Sequence, residues 1–146
     1  MRLLILSCSA TKRPDEGLLG ATDRYDGPAY RVLRAWQHTH TARAAHLDIL
    51  ILSAEFGLIT ADTAIPNYDH RMTRSWALWL RTQVRTVLTE HLAAREYSQT
   101  LINLGADYLR ALPLEEAIVP KLGTLSYTAG GIGVRLGQLK HWLLVT

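Results

Sequence analysis

A chain of 146 residues, of which 48% are apolar, is long enough to bury one sizeable core and fits a single α/β domain over residues 1–146. Its net charge of +3 permits contact with nucleic acid without requiring it. The lone cysteine, Cys8, excludes an internal disulfide, and no apolar run approaches the roughly 20 residues of a membrane span.

The apolar run Leu3 to Leu6 is too short for a signal peptide, so a cytoplasmic protein is expected. The run predicts a first strand, closed by Ser7-Cys8-Ser9. Ala10 to Gly27 is rich in Gly, Asp, Thr and Pro and reads as an extended loop. Gly27-Pro28 opens a helix carrying Tyr30, Val32, Leu33 and Trp36, with its end near Arg43 to Ala45. His46 to Leu52 predicts the second strand, and Ser53 to Arg71 follows as a long polar loop. Thr73 is a good N-cap for an amphipathic helix carrying Trp76, Leu78, Trp79, Leu80, Val84, Val87, Leu88 and Leu92. Thr100 to Leu104 predicts a third strand, and Ala106 to Leu112 a short helix stopped by Pro113. Glu116 to Val119 predicts a fourth strand closed by Pro120, and a last helix runs from about Val134 to Leu144. Such alternation argues a mainly parallel four-stranded sheet between helices, a three-layer α/β/α fold.

Ligand sites of open parallel sheets lie beyond the carboxyl ends of the strands. There Ser7, Cys8, Ser9, Thr11 and Lys12 could surround an anion, although serines at a strand end equally well satisfy backbone groups. No base lies beside Cys8 in the sequence, so it is read as part of a binding loop rather than as a nucleophile. Tyr25 and Tyr30 flank Asp26 and could sandwich a planar ring; alternatively Tyr30 is a core residue and Asp26 caps the helix, the stronger reading for Asp26. In the polar loop, Glu55, Asp62 and Asp69 are the carboxylates. Asp69 lies between Tyr68 and His70 with Arg71 next, a setting that favours an ionised carboxylate able to stabilise positive charge or activate water. Asp62 is balanced between such a role and an ordinary loop residue. Gly57 and Pro66 shape the loop. Gly130-Gly131-Ile132-Gly133, with Arg135 and Lys140, could receive a phosphate or form an ordinary turn. No Cys/His cluster has zinc spacing, so neither metal nor other cofactor is expected.

The succession SCSATK, YDGPAYRVLR, LSAEFGLI and PNYDHRM resembles a family of small bacterial and phage proteins of unknown function, similar in turn to the YaaA-type stress proteins. The resemblance covers the first half of the chain, at Ser7, Cys8, Ser9, Lys12, Tyr25, Ser53, Gly57, Leu58, Tyr68 and Asp69. It implies a fold like that of the uracil-DNA glycosylase superfamily. The Gly-Gln-Asp-Pro-Tyr and His-Pro-Ser motifs of uracil-DNA glycosylases are missing, so a modified or bulky base is the more natural substrate than uracil.

From this follows the expectation of a DNA glycosylase that flips out and excises a base. Breaking the N-glycosidic bond builds positive charge on the sugar, which a carboxylate stabilises. Asp69 is the first choice for that group, with Asp62 or Asp26 as substitutes. Ser7, Cys8, Ser9 and Asn103 would bind the base or a phosphate, and Tyr25, Tyr30 or Tyr68 would stack on the base. Lys12, Arg24, Arg71 and Arg135 would hold phosphates. The expected partner is DNA or a nucleotide, with defence against phage carrying modified DNA as a setting by superfamily analogy. The alternatives are a non-catalytic nucleic-acid- or nucleotide-binding module, and a nucleotide-dependent transferase or hydrolase using the Gly130 turn.

Overall fold

The computed structural model describes residues 1–145. β1 (Arg2–Ser7) leads through a long segment holding β2 (Leu19–Gly20) and α1 (Ala21–Arg24) to α2 (Pro28–Thr39) and a separate turn of helix, α3 (Thr41–Ala44). β3 (Leu47–Ser53), β4 (Gly57–Thr60) and β5 (Ala64–Ile65) precede the long α4 (Arg74–Ala93). β6 (Gln99–Asn103), α5 (Ala106–Leu109), a 3-10 turn (Val119–Leu122), β7 (Thr124–Tyr127) and α6 (Ile132–Leu144) complete the chain. No helix among the described residues is long and apolar enough to cross a membrane.

The main sheet has the order β4-β3-β1-β6-β7. Four strands are parallel and β4 folds back antiparallel on β3. Leu3 to Leu6 are all buried, because a central parallel strand is covered on both faces and must be apolar on both. Alternate side chains go to opposite layers. Leu3 and Ile5 join Leu50, Leu52 and Ile102 beneath Ala77, Leu80, Val84 and Leu88 of α4. Leu4 and Leu6 join Ile49, Ile51 and Leu101 beneath Leu33 and Trp36 of α2 and Leu139 and Leu143 of α6. The three-layer α/β/α arrangement follows from this division.

Several elements differ from the expectations. The fourth parallel strand is Thr124–Tyr127, not Glu116 to Val119. The latter stretch lies in turns leading into the 3-10 turn, where Pro120 has no N–H to give to a ladder. The true strand has only Leu125 and Tyr127 as large apolar residues, and both keep some exposure at the sheet edge. The polar loop after β3 is structured as well. Gly57, at φ +71°, turns the chain so that Gly57 pairs with Ser53, and β5 forms a two-stranded ribbon with β2. The helix of Ala106 stops at Leu109, and the last helix starts two residues early, at Ile132.

Gly123 sets the start of β7. Its φ is +65°, and a Cβ there would run into the backbone carbonyls of Tyr97 and Ser98. Backbone cannot move aside as a side chain can, so Gly123→Ala is expected to cost about 2 kcal/mol. Urea unfolding would show it as a lower midpoint at unchanged slope.

Candidate functional site

β1 has β3 on one side and β6 on the other, so the chain first builds outward from β1 to β3 and β4 and then crosses back past β1 to build β6 and β7 on its other side. A crevice opens beyond the carboxyl ends at such a point. Here it has a volume of about 710 Å³, within the range of small-molecule sites. Its walls come from the segment after β1 (Cys8, Ser9, Ala10, Lys12), the segment before α4 (Asp69 to Met72) and the start of α5 (Gly105 to Tyr108). A shallower groove of about 450 Å³ adjoins it, formed by Ala10, Lys12, Asn67, Tyr68 and Asp69.

The first wall is fixed largely by backbone contacts. The Cys8 N–H donates to Leu52 O at 3.0 Å, which prolongs the β1–β3 ladder. Ser9 Oγ donates to Thr11 O at 2.8 Å, and Asp26 N–H donates to the same oxygen at 2.9 Å. Gly27 permits this approach, since a Cβ there would lie 2.5 Å from Ser9 Oγ. Beneath the segment, the fully buried Arg24 guanidinium donates to the carbonyls of Arg13, Asp15, Gly17 and Ile65, at 2.7, 2.9, 2.6 and 3.4 Å.

The second wall hangs on a hydroxyl chain. Ser53 Oγ accepts from the N–H groups of Glu55 and Phe56, both at 3.1 Å, so its own proton goes to the Tyr68 oxygen at 2.9 Å. The Tyr68 hydroxyl shares a second hydrogen bond with Tyr25, at 2.5 Å. Lys12 Nζ sits 4.5 Å above the Tyr68 ring and 5.9 Å from that of Tyr25, a cation–π seat that holds its charge at the junction of crevice and groove. Burial pushes the Tyr25 phenol up to about 12 and raises Tyr68, Tyr108 and Tyr30 as well. These phenols therefore stay neutral at neutral pH and act as donors and acceptors, not as phenolates. Tyr108 hydroxyl contacts Cys8 Sγ at 3.0 Å across the crevice.

His70 and Glu55 form a further pair. His70 Nδ1 lies 2.6 Å from Glu55 Oε2. A carboxylate only accepts, so Nδ1 carries the proton and Nε2 is left to accept from, or exchange a proton with, a ligand. The His70 ring leans on Trp76, 5.1 Å between centroids.

Of the residues expected at the site, Cys8, Ser9, Lys12, Asp69 and Arg71 line the crevice and Tyr68 lines the groove. The others lie elsewhere. Asp26 is ion-paired to Arg31 and Arg34, and the Arg31 hydrogen bond leads the effects that hold its carboxyl below the usual range. It does not cap α2 either, since Gly27 is the cap residue and makes no side-chain bond. Asp62 is an exposed turn residue beyond β4, accepting from Thr60 Oγ1 at 2.8 Å. Tyr30 is a core residue whose hydroxyl donates to Ser7 O at 2.7 Å, and the Tyr25 ring is fully buried, so neither can stack on a ligand. Ser7 and Asn103 do not line the crevice; Asn103 Oδ1 accepts from Thr128 Oγ1 at 2.6 Å. Arg24 serves carbonyls, not phosphates. Arg135 donates to Gly130 O at 2.8 Å and to Leu104 O at 3.1 Å, which fastens the glycine turn to the end of β6. That turn is not part of the crevice lining.

His70 and Tyr108 line the crevice without having been given a role by local reasoning on the sequence, and Glu55, read there only as one carboxylate of the loop, holds His70 without lining the crevice itself. His70 was flagged only by standing next to Asp69. Its link to Glu55 depends on the β3–β4 turn, which no sequence spacing displays.

Among the described residues, Asp69 and Arg71 have no ion-pair partner, while Asp107 faces Arg110 at 3.8 Å. Lys12 and Arg71 thus offer positive charge to an anionic ligand, and Asp69 a carboxylate beside it. No three His, Cys, Asp or Glu side chains among the described residues come together as a metal-holding group.

A family model described as a family of unknown function (DUF6884) matches residues 3–143. No curated protein matches the chain.

Proposed function

We propose that this chain, which belongs to the DUF6884 family, hydrolyses the N-glycosidic bond of a base, modified rather than ordinary, in DNA. The observation that carries this reading is the place of Asp69. Of the three carboxylates considered, it alone lines the crevice, unpaired, with Lys12 and Arg71 in the same walls.

The reaction demands such an arrangement. As the C1′–N bond breaks, its electron pair leaves with the base and the sugar becomes positive. Asp69 stabilises that charge and orients the water whose oxygen bonds to C1′. His70, held by Glu55, exchanges a proton through Nε2 with the leaving base or the water. Lys12 and Arg71 hold the phosphates on either side, and the neutral phenol of Tyr108 offers a hydrogen bond to the base. The likeness of the sequence motifs to proteins with a uracil-DNA glycosylase-like fold supports the same reading, as does a crevice with room for a substituted base. In this reading the enzyme works in the cytoplasm, where phage DNA rich in modified bases is one natural substrate.

The test is direct. The protein is incubated with ordinary DNA and with DNA carrying modified bases, phage DNA included. Mass spectrometry reads released base and alkali reveals abasic sites. Release of a modified base is expected; absence of release from every DNA overturns the proposal.

A further inference from the structure

Trp79 is 69% exposed, the most exposed of the large aromatic side chains, on a helix whose other apolar residues mostly face the core. Single exposed apolar side chains are ordinary on a protein surface, and what sets this one apart is how its ring is held. One face of the ring is covered: Trp76, one turn earlier on α4, stacks on it at 4.5 Å between centroids and 18° between planes. Trp76 is itself fastened, its indole N–H donating to Ala54 O at 2.5 Å, and its ring also meets that of His70, tilted by 45°. The rings of His70, Trp76 and Trp79 therefore form a ladder, from the crevice wall to an open indole face at the surface.

Beyond Asp69, the segment that leads into α4 carries positive charge. Arg71 and Arg74 are exposed and have no ion-pair partner among the described residues. The first turn of α4 holds no acidic residue. Glu55, at the foot of the ladder, is engaged by His70. A rigid, open aromatic face on a helix that unpaired arginines precede and open matches a nucleobase with its phosphates. It matches a protein partner less well, since the first turn of α4 holds Arg74 and no acidic residue.

We infer that Trp79 is a stacking platform for an unpaired base of the DNA strand running out of the crevice, with Arg71 and Arg74 on the adjacent phosphates. This rests on the DNA reading of the crevice and deepens it: the substrate is single-stranded, or opened locally, next to the target base. A base inside a duplex has both faces covered and cannot use the platform.

Binding, measured without any base release, tests this separately from catalysis. The probes are labelled oligothymidine, a strand of equal length with a run of abasic sites, and a duplex, followed by fluorescence anisotropy and tryptophan quenching. Trp79→Ala is expected to weaken oligothymidine binding about 10-fold and to change duplex and abasic binding less than about twofold. Trp79→Phe, which keeps a ring, should restore much of the loss. The inference is overturned if Trp79→Ala leaves oligothymidine binding unchanged, if it weakens all three probes equally, or if the wild-type protein binds no single strand. It is also overturned if the substitution acts only on self-association in sedimentation. Failure to release a base would leave these results standing, and a null result here would leave the glycosylase reading standing.

Discussion

Asp69→Asn is expected to slow base release by roughly 10²- to 10³-fold while leaving DNA affinity within a few fold of wild type. Asparagine keeps the shape of the side chain and removes only its charge, so the loss isolates the electrostatic part of catalysis. The side chain is exposed and unpaired, so stability should stay within about 0.5 kcal/mol. Affinity should rise slightly if it moves at all, because a negative charge leaves a crevice that also holds Lys12 and Arg71. Asp62→Asn is the control: its carboxylate meets Thr60 at a turn outside the crevice, and its removal should spare turnover. Single-turnover kinetics with excess enzyme, alongside a binding isotherm, reads both quantities. A non-catalytic nucleic-acid module would lose neither with either substitution, and equal losses from both would remove Asp69 from the reaction.

Arg24→Met should be the most destabilising of the charged-residue substitutions, by about 3 kcal/mol. The guanidinium is fully buried and has no carboxylate within ion-pair distance among the described residues. Its partners are four main-chain carbonyls, and methionine fills the space without giving them a donor. Some would turn to water by loosening the Arg13 to Gly17 segment, which limits the loss. For a chain of this size the thermal midpoint should fall by roughly 6–12 °C. Arg24→Lys should recover little, since a single ammonium cannot reach carbonyls spread along a planar fork. Lys12 directly precedes the segment, so turnover should fall even at temperatures where the variant is folded. An Arg24→Met protein as stable as wild type would show that these carbonyls do not depend on the guanidinium.

What could be read from the sequence divides along physical lines. β1, β3 and β6 were legible because two-sided burial demands unbroken apolar runs. α4 was legible from its period and its Thr73 cap, whose hydroxyl accepts from Trp76 N–H at 3.2 Å. β7 was not, because an edge strand with one covered face needs few apolar residues, and Ile118 and Val119 imitated it more strongly. The placing of Asp69 near the crevice followed from the rule that strand ends carry sites. The fates of Tyr25, Tyr30 and Tyr68 did not, since a tyrosine has the same letter whether it fills the core or faces a ligand. Arg24 is the sharpest case: charge alone suggested phosphate, and only the loop folded around it supplied the carbonyls. Leu78 and Trp79 fitted the apolar pattern of α4 and yet stand in water, which local periodicity could not disclose.

The position of β1 has a consequence for how the chain is made. It is made before both strands it pairs with, yet it lies in the middle of the sheet, and those neighbours, Leu47–Ser53 and Gln99–Asn103, follow much later. Until both have emerged, Leu3 to Leu6 present a bare apolar edge, the kind of segment that nascent chains join wrongly and that chaperones shield. The crevice, which needs the ends of β1 and β6 together, has no precursor in any shorter nascent chain. The crevice is therefore complete only once the Tyr108 region has been synthesised, and a truncated product carries the hazard of the exposed strand without the crevice.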